Sequence, residues 1–170
     1  MTSATITDRL VALSRALIGR IRGGLAQVNV LVSMFFAGMN GSVVADTATV
    51  GALVLPAMKK AGYPAAFSAA VTGVSSTIGG IIPPSIMMIV LANSTEISIA
   101  ALFAAGIIPG VLIGIVIMII NHYFAIKYNF ERSDEPFSIR RAGKELYRSS
   151  FALLIPLVLV GSVMGGVASV

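Results

Sequence analysis

The sequence predicts an all-α polytopic membrane protein, built from a re-entrant helical hairpin, a broken transmembrane helix and further spans. Three observations carry that expectation. Of 170 residues, 56% are hydrophobic and only 11% charged, with a mean hydropathy of +0.94; a soluble domain carries about 25% charged residues. The charges fall into islands at Asp8–Arg22, Lys59–Lys60 and Lys127–Arg148, and the tracts between them, 23–58 and 61–126, hold one charge each, Asp46 and Glu96. Both tracts are also interrupted part-way by Gly, Asn, Ser and Pro.

The same composition excludes several chemistries. Without cysteine there is no disulfide framework and no thiolate metal site. A single histidine, His122, cannot build a histidine metal cluster within this chain. The net charge of +5 reports membrane orientation first, so no nucleic-acid partner is expected.

Taken in order, residues 1–22 read as a polar, amphipathic segment on the cytoplasmic side, without the short apolar core of a signal peptide. Segment 23–60 is the hairpin. As one helix, 23–58 would measure about 54 Å, against a hydrocarbon core of roughly 30 Å, and two full spans would need about 40 apolar residues. A helix from Leu25 to Ala37, a turn at 38–46 and a return from Thr47 to Lys60 fit instead. Residues 61–96 form the broken helix: Pro64 opens it, the run through Ile78 continues it, and Gly79, Gly80, Pro83 and Pro84 interrupt it, because prolines lack the amide donor and clash with the preceding turn. A half-helix from Ser85 to Ala92 completes the crossing. Residues 97–126 read as a short surface helix to Gly106 followed by a full span, 127–148 as a basic interfacial arm, and 149–170 as a last span. In this topology all 12 Lys and Arg share the cytoplasmic face.

Two discontinuous helices in one short chain are a sequence pointer to a transporter binding site. Helix ends hold amides and carbonyls without internal partners; N-terminal ends favour anions, while unwound carbonyls suit a hard cation such as sodium. The candidates for sodium or substrate binding are therefore Asn40, Gly41, Ser42 and Asp46 at the hairpin tip, with Thr72, Ser75, Ser76 and Thr77 just before the break. Each has a plainer role: Asn, Gly and Ser are turn formers, Asp46 beside Thr47 reads as a helix N-cap, and small hydroxyl residues allow close helix packing. His122, next to Tyr123 near the end of a span, reads as an interfacial residue.

The stretches "GGLAQVNVLVSMFFAGMNGSVVAD", "PAMKKAGY", "SSTIGGIIPPS" and "ALFAAGIIPG", in that order, resemble the large membrane subunit of TRAP (tripartite ATP-independent periplasmic) transporters. The resemblance runs from Gly23 to the end of the chain. It implies a sodium-driven importer of the bacterial inner membrane with an elevator-type mobile domain, of which this chain forms one inverted repeat. It also implies a carboxylate solute (a C4-dicarboxylate or a sialic acid), a periplasmic solute-binding protein that delivers it, a small membrane subunit, and no cofactor other than the coupling sodium. Members are more than twice as long, so the chain is expected to be a fragment covering most of the first half. The tip departs from the usual Ser-Gly-Ser by having Asn40, Gly80 stands where many members have proline, and Gln27 where histidine is common. Three other functions compete: an inactive truncated product, a passive channel, and an intramembrane serine hydrolase using Ser42 with His122 as its base.

Overall fold

A computed structural model describes residues 21–130 continuously, together with Ile18, Leu154, 158–163 and Gly165. The amphipathic segment expected in 1–22 lies outside the described residues apart from Ile18, Ile21 and Arg22. The basic arm lies outside them beyond Phe130, as does most of the last expected span. Among the described residues every regular element is helical.

Helix α1, Gly24–Asn40, is buried on nearly every side; residues 26–30 are all buried. A helix apolar all round must be surrounded, and α1 is the central post of the bundle. It ends at Gly41, whose N–H donates to the Ala37 carbonyl at 3.1 Å. Helix α2, Val43–Lys60, starts at once: Ser42 is extended, and its hydroxyl accepts from the Ala45 N–H at 3.4 Å. Lys59 and Lys60 complement the negative end of the helix dipole. A Schellman arrangement stops the helix, with Gly62 N–H donating to Lys59 O and Tyr63 N–H to Met58 O. Asn29 touches Met58, so α1 and α2 form an antiparallel hairpin.

The hairpin's turn is much tighter than the expected 38–46. Only Gly41 and Ser42 leave the helices, which corrects the reading of Asp46 as N-cap: it lies inside α2, and Ser42 caps instead. An unwound backbone group away from water costs free energy, so the shortest turn that reverses the chain prevails.

Helix α3, Ala65–Ser76, follows Pro64 and tightens into a 3-10 turn over Thr77–Gly80. Residues 81–85 are not helical, and α4, Ile86–Thr95, begins after its cap Ser85. The Ser85 hydroxyl closes the break from both sides, donating to Gly80 O at 2.8 Å and accepting from Met88 N–H at 3.4 Å.

The expected division at Gly106 is absent. Helix α5 runs without a break from Ile99 to Lys127 and includes Pro109. A proline deletes one hydrogen bond, and ending the helix in an apolar setting would orphan several more. Gly106, Gly110 and Gly114 line its buried face, where added β-carbons would meet Met88 and Ile81, Ile82, and Met34. That face packs on α1, on the break and on α4; most of the rest of α5 is exposed and apolar.

Candidate binding site where two helix interruptions meet

The fold brings both interruptions to one place. The Gly41 carbonyl at the hairpin tip accepts a hydrogen bond from Ile86 N–H, the first amide of α4, at 3.2 Å. Gly41 sits at φ +57°, and a β-carbon there would run into the Pro84 carbonyl. On the opposite side, a β-carbon on Gly79 would stand 3.7 Å from the Ser42 backbone, and one on Gly80 would stand 3.2 Å from Val43 Cγ2. Four helix ends converge: the C-terminus of α1, the N-terminus of α2, the end of the 3-10 turn and the N-terminus of α4. Carbonyls and amides without internal partners therefore share one small volume.

The sequence-predicted residues divide into two layers. At the tip, Asn40 and Ser42 are half-buried; Asn40 Oδ1 accepts weakly from Ser42 N–H at 3.5 Å, so both side-chain oxygens keep acceptor capacity. Gly79 and Pro83 are buried, and Gly80 and Pro84 half-buried, in the wall opposite. One layer deeper lie Asp46, Thr72, Ser75 and Ser76, all at 2% exposure or less. Thr77 does not join them: it is exposed, and its hydroxyl donates to the Val74 carbonyl at 2.7 Å.

Asp46 is fully buried, and neither carboxyl oxygen receives a hydrogen bond. The hydroxyls of Ser33 and Ser76 lie beside it but donate elsewhere, Ser33 to Ser75 Oγ at 3.3 Å and Ser76 to Thr72 O at 2.8 Å. A carboxylate in such surroundings is costly unless a cation partners it.

Sequence reasoning passed over three participants. Asn29 donates to Thr72 Oγ1 at 2.7 Å and accepts from Ser75 Oγ at 3.3 Å, tying α1 to α3. Ser33 extends the same chain of contacts toward Asp46. Asn29 and Ser33 are one turn apart on a mostly apolar helix, and that spacing was the available signal. Ser85, the third, had the signature of an N-cap after a proline pair.

His122 is exposed near the far end of α5, beside Asn121, whose carbonyl approaches Gly23. Ser42 is at the opposite end of α1, about 26 Å away along a helix of this length. His122 therefore does not face the tip serine.

The profile of the family described as "Tripartite ATP-independent periplasmic transporter, DctM component" matches residues 1–170. The chain belongs to this family. It is 38% identical over 170 residues to the sialic acid TRAP transporter permease protein SiaT of Haemophilus influenzae, covering 99% of this chain and 27% of that protein. It is 36% identical over 166 residues to the C4-dicarboxylate TRAP transporter large permease protein DctM of Pseudomonas aeruginosa, covering 98% and 39%. A third relative, the 2,3-diketo-L-gulonate TRAP transporter large permease protein YiaN of Escherichia coli, is 35% identical over 166 residues. The chain thus spans between 27% and 39% of the length of these curated relatives. As befits a TRAP permease, it contains a helix apolar and long enough to cross a membrane, Ile99–Lys127, with a mean hydropathy of 2.7 over its best window.

Proposed function

We propose that this chain supplies part of the solute and ion path of a sodium-coupled TRAP permease in the bacterial inner membrane. In this reading the α1–α2 hairpin enters and leaves the bilayer on the cytoplasmic side, the broken helix α3–α4 crosses it, and the chain is multi-pass. The observation that carries the reading is the convergence of the two interruptions, with the Gly41 carbonyl held by the first amide of α4.

Carbonyls ending α1 and the 3-10 turn, together with Ser42 Oγ and Asn40 Oδ1, hold sodium at the tip. The N-terminal ends of α2 and α4 attract the carboxylate of the solute. Asp46, Thr72, Ser75 and Ser76 form the layer behind, where the unpartnered carboxylate answers the cation. Sodium at the tip draws the two interruptions together, so the carboxylate site is complete only when the ion is bound. A periplasmic solute-binding protein delivers a C4-dicarboxylate or a sialic acid, a small membrane subunit completes the carrier, and a second inverted repeat moves with this one in an elevator stroke.

The test uses the full-length permease, reconstituted with its small subunit and binding protein. Uptake of sialic acid and of C4-dicarboxylate is measured with sodium or with choline inside and out. In parallel, Ser42→Cys and Lys60→Cys, made one at a time in a permease whose cysteines outside this cysteine-free stretch are replaced by serine, are labelled with a membrane-impermeant thiol reagent. We expect uptake to require sodium, labelling at position 42 to change with sodium, and position 60 to react only from the cytoplasm. Uptake unaffected by choline removes the coupling, and periplasmic labelling at position 60 removes the hairpin topology.

A further inference from the structure

The end of the bundle remote from the interruptions gathers cations around a knot of rings. Arg22 precedes α1, Lys59 and Lys60 close α2, and Lys127 closes α5. The rings between them are Tyr63 just before α3, Phe67 in its first turn, Phe124 near the end of α5, and Tyr128 and Phe130 just beyond it. Tyr63 packs on Phe130 with centroids 4.6 Å apart, Phe67 lies 5.1 Å from Phe130, and Phe124 stacks on Tyr128 at 5.9 Å. Arg22 donates to Asn129 Oδ1 at 3.3 Å, and Lys127 Nζ sits 5.8 Å from the Tyr128 ring centre. Arg22 and Lys127 therefore border the aromatic cluster, and Lys59 and Lys60 lie in the helix turn that Tyr63 N–H closes through Met58 O.

Among the described residues no counter-charge sits with them. The only acids among the described residues are Asp46, sealed in the core, and Glu96, which caps the far end of α4. The three lysines are exposed.

Depth follows from α5. Its exposed face is apolar from Ile107 to Ile126, through Leu112, Ile115 and Ile119. That stretch spans about 29 Å, close to a hydrocarbon core of roughly 30 Å. Lys127 and Tyr128 then begin at the acyl–headgroup boundary, where aromatic rings and snorkelling lysines belong.

We propose that this end is a binding site for the headgroup of an anionic phospholipid. Lys59, Lys60 and Lys127 meet the phosphate and the acidic headgroup, Arg22 borders the site, and the exposed Tyr128 ring packs on the glycerol and upper acyl chain. The occupant follows from charge complementarity at a fixed depth: a cationic rim with no acidic partner among the described residues, at headgroup level, continuous with a lipid-length apolar face. The inference stands on the embedding of α5 and not on sodium coupling or solute.

The experiment places the full-length permease in bilayers of phosphatidylcholine, or of two parts phosphatidylcholine to one part phosphatidylglycerol. The relative association of spin-labelled phosphatidylglycerol and phosphatidylcholine is read by electron paramagnetic resonance. The parent protein should prefer phosphatidylglycerol. Substituting glutamine for each of Lys59, Lys60 and Lys127 should lower that preference by roughly fivefold per lysine, and added salt should do likewise. Arginine at the same three positions should preserve it, which separates lost charge from lost fold. An unchanged preference in the glutamine variant overturns the proposal. So does full displacement by millimolar inorganic phosphate, which would make the rim a free-anion site, or persistence of the parent's preference in high salt.

Discussion

Replacing Gly41 with alanine tests the contact on which the site depends. At φ +57° an L-residue carries a backbone penalty of roughly 1–2 kcal/mol. The added β-carbon would also run into the Pro84 carbonyl and stand 3.0 Å from Ser85 Cα. Both neighbours are backbone, so neither can rotate aside, and overpacking of this kind costs about 1–3 kcal/mol. Relief requires parting the tip from the break, which loses the Ile86 N–H to Gly41 hydrogen bond, about 1 kcal/mol. The sum is about 3–6 kcal/mol. Gly62→Ala is the matched control, because Gly62 sits at φ +79° with nothing within 4 Å of its would-be β-carbon. It should lose only the backbone term, about 1–2 kcal/mol. Both variants are unfolded by detergent titration of the full-length permease in mixed micelles, and sodium-dependent uptake is recorded alongside. Equal losses for the two would mean that the tip does not rest on the break, and the account of the site would fall with it.

Three further outcomes follow from the same geometry. Asp46→Asn removes an unpartnered buried charge while keeping its shape, so stability in choline should change by less than about 1 kcal/mol or rise; the rise in thermal midpoint that sodium gives the parent should disappear. Asn29→Ala deletes the links to Thr72 and Ser75. Interhelical hydrogen bonds in membranes average about 0.6 kcal/mol and reach about 1.7, so a loss of about 1–2 kcal/mol is expected in the same titration. His122→Ala alters an exposed residue at the far end from the tip and should leave uptake within about twofold of the parent; abolished activity would revive the hydrolase reading.

Much of this protein was legible in the sequence because membranes simplify the code. An uncharged tract has nowhere to go but an apolar setting, and two glycines followed closely by a proline pair cannot continue an α-helix, so an interruption around 79–84 and a reversal near residue 41 followed from composition and spacing. In the structure the α-helix gives way to a 3-10 turn over Thr77–Gly80 and to non-helical backbone over 81–85. The family resemblance was carried by those same interruptions, and the profile over residues 1–170 agrees with it. Local signals failed where several residues competed for one role. Asp46 and Ser42 both suit an N-cap; Ser42 takes it because Gly41 reverses the chain in a single step, leaving Asp46 a turn deeper. Pro109 and the glycines near it look like a boundary, yet α5 continues because its glycine face needs an unbroken ridge to pack against Ile82 and Met34.

By itself, then, the sequence determined that the chain is helical and apolar, where its helices are interrupted, and which polar residues those interruptions expose. Only the tertiary structure decided that the two interruptions touch, that Asp46 lies sealed beside Ser33 and Ser76, and that Thr77 turns away from them. Interruption is a local property, set by which residues can donate an amide or adopt a positive φ. Convergence is not local: it depends on how α1 packs against α3 and α5, and on shapes that residues far apart in the chain make together.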